Sequence, residues 1–139
     1  MLIITIKQGK EKSLLERQPN GDAVDAGLEG AVQQLAERDF AAAETWIDTQ
    51  ASGQRRDRIL QRLVFVRASQ DPGDAARLAF ESFGAEVNRD DALASIARLW
   101  GERNLRDASE WAHTLAGTSR ARVDSELAIL RLESERRSR

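Results

Sequence analysis

The sequence predicts an all-α protein, a right-handed α-solenoid of antiparallel helical hairpins with about seven helices. Three observations carry that expectation. A cassette recurs at spacings of 32 and 33 residues, starting at Asp39, Asp71 and Asn104, each copy with Asx first, Ala fifth and a large apolar residue eighth. Between the copies lie amphipathic segments with apolar residues three and four apart. The composition is rich in Ala, Leu, Arg and Glu, with two prolines in 139 residues, which favours helix throughout.

The chain begins with a segment outside this pattern. All three lysines (Lys7, Lys10, Lys12) lie in the first twenty residues, whereas of the 18 arginines only Arg17 does. Met1-Leu2-Ile3-Ile4-Thr5-Ile6 is too short for a secretion signal and lacks its basic start and cleavage site. Its β-branched content suits a short strand, but no other strand offers itself as a partner. Residues 1–21 are therefore expected to form a flexible, non-helical arm, or a strand that pairs with another copy of itself. Gln18-Pro19-Asn20-Gly21 is turn chemistry, and the helical-repeat domain is expected over 22–139.

Asp22 to Arg38 reads as the first helix, with Ala31, Val32 and Leu35 on its apolar side. In each cassette the leading Asx can accept a bond from a free N–H at a helix start. Pro72 takes a place whose N–H is an orphan anyway, and Asp74 and Asp107 set negative charge on the positive end of the helix dipole. Ala43, Ala75 and Ala108 then fall where a small side chain admits a neighbouring helix, and Trp46, Leu78 and Trp111 fill the space one turn on. Asp57–Ser69 and Asn88–Glu102 are the second helices of their repeats, the latter capped by Asn88. Gly53, Gly84 and Gly117 are expected to end helices between the two types, and Ser119 to cap a last helix presenting Val123, Leu127 and Leu130.

Asp-Pro-x-x-Ala-x-x-Leu at 71–78 and Asp-Phe-x-x-Ala at 39–43 resemble the tetratricopeptide repeat and its relatives, whose two antiparallel helices recur about every 34 residues. The chain is similarly close to Asp-Pro-x-x-Ala-x-x-Trp repeats in large uncharacterised bacterial proteins, and the resemblance covers roughly 22–132. It implies a protein-interaction scaffold that holds its ligand in a concave groove. It also implies that the groove is lined by the helix preceding each cassette.

Several function classes recede on composition alone. The net charge of −2 is unlike that of a dedicated nucleic-acid protein, and without cysteine there are neither disulfides nor thiolate metal sites. No apolar run approaches the roughly 18 residues of a membrane span, so the cytoplasm is the default compartment. No glycine-rich run ending in lysine precedes a helix, so no phosphate-cradling loop is expected. His113, the only histidine, stands near Ser109 and Glu110, but one helical face cannot assemble a catalytic triad, and a metal would want further convergent ligands. Neither catalytic residues nor a cofactor or metal site is assigned.

The expected function is therefore a non-enzymatic scaffold for a protein or peptide partner. Arg58, Arg62, Arg98 and Arg103, on the second-helix set, are the candidate partner-binding residues for an acidic ligand, with Arg62 and Arg98 one repeat apart. The bland alternative is that they only solubilise the surface. Arg55, Arg58 and Arg62 share a face with Arg67 nearby, so a nucleic-acid-associated protein is the second reading, against a solvated face with local ion pairs. The mixed-sign tail 131–139 suits a frayed helix end, and an open apolar edge on the last helix fits self-association or a piece of a longer repeat array.

Overall fold

The computed structural model describes residues 21–139. Residues 1–20 of the expected arm lie outside the described residues, and Gly21, its last residue, opens the first helix. Within them the chain is helical, as α1 (Gly21–Arg38), α2 (Phe40–Asp48), α3 (Gln54–Gln70), α4 (Pro72–Ser82), α5 (Glu86–Arg103), α6 (Leu105–Ala112) and α7 (Gly117–Arg137). No strand occurs among the described residues. Contacts divide the chain into two units, 1–66 and 67–139, with the boundary inside α3.

The cassettes start where the sequence places them. Asp39, Asp71 and Asn104 are the N-caps of α2, α4 and α6, each accepting from the backbone N–H three residues on, at 3.1, 3.0 and 3.0 Å. Each cap satisfies one donor that the first turn leaves without a helical partner. Pro72 occupies the first turn of α4, as its fixed φ favours. Ala43, Ala75 and Ala108 are completely buried. At the eighth place Trp46 and Leu78 are buried, but Trp111 is only half-buried, which corrects the expectation that it fills a core.

The long helices depart from expectation at their starts. α5 begins at Glu86 behind Ala85, so Asn88 lies inside its first turn and is not the N-cap residue. α7 begins at Gly117 behind Ala116, and Ser119 is buried within the helix instead of capping it. Gly117 has φ +63°, so its left-handed backbone opens a helix where it was expected to close one. α3 begins at Gln54, placing Asp57 within the first turn and burying it.

A second repeat runs through these long helices. Asp25, Asp57 and Asp90 recur at the same 32 and 33 residues as the cassettes and are all buried. A buried carboxylate must be paired. In the first unit Asp25 of α1 meets Arg55 Nε and Arg58 Nη2 of α3, both at 2.7 Å. In the second, Asp90 of α5 accepts from Ser119 Oγ at 2.6 Å and Thr118 Oγ1 at 2.7 Å, at the start of α7. Asp25 and Asp90 thus each tie the beginning of one long helix to the beginning of another, where the positive helix end favours a carboxylate.

Apolar burial supplies the rest. Leu28, Val32, Ile47, Ile59, Leu60 and Leu63 are buried in the first unit, and Leu78, Leu93, Ile96, Val123 and Leu127 in the second. Gly101 marks a close crossing of α5 on α7: a Cβ there would stand 2.6 Å from Leu130 Cδ1 and 3.2 Å from Leu127 Cδ2. Among the described residues no helix is long and apolar enough to cross a membrane.

Candidate functional site

The second unit holds a groove of about 490 Å³ between α4, the start of α5, the end of α6 and the loop to α7. The sequence builds it from residues left over by helix packing. On α4, Ala75, Leu78 and Ala79 occupy the buried phase, which sends Arg77 and Phe80 outward. Phe80 is 46% exposed, large for an aromatic side chain at a concave surface. Arg89 of α5 places its guanidinium 5.7 Å from the Phe80 ring centroid, a cation–π contact. Trp111 of α6 lines another side and stacks on Trp100, with centroids 5.4 Å apart and planes inclined by 27°. Ala76, Leu115 and Ser119 complete the wall.

The two cations of the groove are internally compensated. Arg77 reaches Asp74 Oδ1 at 2.7 Å and Glu81 Oε2 at 2.6 Å, while Arg89 reaches Glu86 and Asp90, each at 3.2 Å. Hydrogen bonds from Arg77 and then Arg67 hold the Asp74 carboxyl below the ordinary carboxylate value. For Asp90, burial works to raise the carboxyl, but hydrogen bonds from Ser119, Thr118 and Arg89 together outweigh it and leave it lowered. The groove therefore offers aromatic and aliphatic surface with a charge-balanced rim. Its chemistry suits an apolar side chain carried on a polar backbone.

None of the four sequence-predicted arginines lines this groove. Arg58 and Arg62 stand together on α3, facing α1. Arg58 meets Asp25 and, at 3.5 Å, Glu29, whereas Arg62 meets Glu29 at 3.7 Å and donates to Gln33 Oε1 at 2.8 Å. Arg98 is shared among Glu102, Glu126 and Glu133, and these carboxylates, Glu126 first, push its proton affinity above the ordinary value. Arg103 donates to the Ser69 carbonyl at 3.0 Å. Arg55 and Arg67 are likewise in ion pairs, with Asp25 of α1 and Asp74 of α4.

No family model matches the chain. No curated protein matches it, nor does any solved structure. The geometry alone therefore carries the functional reading.

His113 is exposed at the C-cap of α6. The Ser109 hydroxyl accepts from Arg131 of α7 at 2.9 Å. Among the described residues, no group of three or more His, Cys, Asp or Glu side chains stands close enough to hold a metal ion.

Phe80, Arg77 and Arg89 were not singled out by the sequence reading. The available signal was phase: Phe80 falls outside the buried three-and-four spacing of its helix, where an aromatic residue is unexpected. The convergence of three helices on one hollow leaves no such trace.

Proposed function

We propose that this chain is a non-enzymatic helical-repeat protein of the tetratricopeptide-like, α-solenoid kind, binding a peptide or protein segment in the groove of residues 73–119. One observation carries the reading: on helices set by a repeat, a half-exposed Phe80 and a half-buried Trp111 face a common hollow. Aromatic residues at concave surfaces anchor partners at low entropic cost. The bound segment presents a bulky apolar side chain to Phe80 and Trp111 and backbone groups to Arg77, Arg89 and Thr114. The ion pairs along α3 weigh against the nucleic-acid reading, because arginines committed to Asp25 and Glu29 have less to offer a phosphate.

The test is selection from a random displayed peptide library, followed by titration of the selected peptide in solution at low and high salt. Support would be binding that changes little with salt and weakens at least about tenfold in Phe80→Ala with helicity intact. A failure to select any peptide, or binding indifferent to Phe80→Ala and Trp111→Ala, would overturn the reading.

A further inference from the structure

We infer that the outer face of α7 is a self-complementary interface, on which two copies of this chain pair as an antiparallel, two-fold dimer. The observations are independent of the peptide groove. Ala121, Ser125, Ala128 and Leu132 are all exposed and are spaced four, three and four residues apart, the seam of a helix pair, with exposed Ile129 beside it. Ile129 and Leu132 are 46% and 58% exposed, although Leu63 and Ile96, which precede Ile129 by 66 and 33 residues, are completely buried.

The seam is asymmetric along its length, and this fixes the orientation. Its C-terminal half carries the large residues, Ile129 and Leu132. Its N-terminal half carries small residues beside a hollow of about 360 Å³, walled by Val87 of α5, itself 64% exposed, and by Asp90, Thr118, Ala121, Arg122 and Ser125. A parallel pair would set large on large and leave both hollows empty. An antiparallel pair whose axis passes between Ser125 and Ala128 sets the partner's Leu132 against Ala121, into the hollow, and the partner's Ala128 against Ser125. The two-fold axis repeats both contacts. The knob and its hole lie about 16 Å apart on each helix, so both can be filled at once.

Charge follows the same register. Asp124 and Arg131 flank the seam on one side, and the antiparallel pairing sets Asp124 opposite the partner's Arg131 twice over. A parallel pairing would instead set Asp124 beside the partner's Ile129 and Arg131 beside the partner's Arg136, with no opposite-charge pair on this side. Asp124 now pairs with Arg120 at 2.8 Å and Arg131 donates to Ser109, so the interchain contacts extend existing polar groups and leave none buried alone.

Sedimentation equilibrium of the full chain should show a monomer–dimer equilibrium at up to about 100 μM. Leu132→Glu should weaken dimerisation at least about thirty-fold, as for a central anchor, with helical circular dichroism unchanged. Ala121→Trp, which fills the hollow, should do the same from the opposite half of the seam. Asp124→Arg and Arg131→Asp should each weaken the dimer, and the double variant should restore it. A chain that stays monomeric over this range would overturn the inference. So would a dimer indifferent to both Leu132→Glu and Ala121→Trp, and single charge reversals that the double variant does not rescue would overturn the antiparallel register.

Discussion

The Ser119 hydroxyl donates to Asp90 Oδ1 at 2.6 Å, joining the first turn of α7 to the beginning of α5 through a carboxylate that is 7% exposed. Thr118 donates to the other oxygen at 2.7 Å, so both oxygens of Asp90 are engaged by α7. This pairing makes the second unit acid-sensitive in a defined direction. The folded carboxyl is lowered, so its stabilisation is present in full above the ordinary carboxylate value and is lost as pH falls through the folded one. Asp74, lowered by Arg77 and Arg67, acts with the same sign. Asp90→Ala should cost about 1–3 kcal/mol at neutral pH, because it strands the buried Ser119 hydroxyl, whereas the exposed Thr118 hydroxyl still has Glu86 Oε1 at 3.1 Å. Asp90→Asn should shrink the difference in Tm between pH 7 and pH 3, measured by circular dichroism, and an unchanged difference would remove Asp90 from the acid response.

Ala75 is completely buried one turn into α4. Ala75→Leu forces three further carbons into a filled space and should destabilise by about 1–3 kcal/mol. Denaturant unfolding reads this directly, and a midpoint equal to the parent's would show that no neighbouring helix packs closely there. Gly101→Val should have a similar effect, since even one added carbon would stand 2.6 Å from Leu130 Cδ1.

Trp111→Ala separates packing from recognition. The ring is half-buried and stacked on Trp100 rather than enclosed, so the loss should be about 1–3 kcal/mol, below the cost of emptying a sealed site. The same substitution should lower peptide binding in the groove more than Ala75→Leu does, in titrations below both unfolding transitions. Equal loss from the two would make Trp111 a packing residue only.

What was legible in the sequence is local. The caps at Asp39, Asp71 and Asn104, and the buried alanines four residues on, follow from rules acting within one helical turn. The long-helix starts were misplaced because Asn88 and Ser119 are good cap residues that tertiary structure uses otherwise, Ser119 as a donor to a carboxylate 29 residues away. The aspartate series at 25, 57 and 90 carries the same period as the cassettes, yet an aspartate near a helix start reads as a cap until its burial is known. The groove was hidden for another reason. Phe80, Arg89 and Trp111 come from three helices, and no periodicity along the chain marks where three helices converge.

The four arginines give the last prediction. Arg62 and Arg98 sit 36 residues apart on successive long helices, and each faces a glutamate of a neighbouring long helix, Glu29 at 3.7 Å and Glu126 at 3.0 Å. Their likeness is thus a repeated ion pair as much as a repeated surface. Arg62→Glu with Arg98→Glu sets like charges against Glu29 and Glu126, so Tm should fall modestly, because the pairs are solvent-exposed. A peptide held at Phe80 and Trp111 should keep its affinity in this variant while helicity stays intact. Affinity lost with helicity preserved would transfer the binding surface to the arginine-bearing faces of α3 and α5. Raising the salt distinguishes the two sites again: contacts made by Arg62 and Arg98 weaken as charges are screened, whereas an aromatic groove with a balanced rim does not.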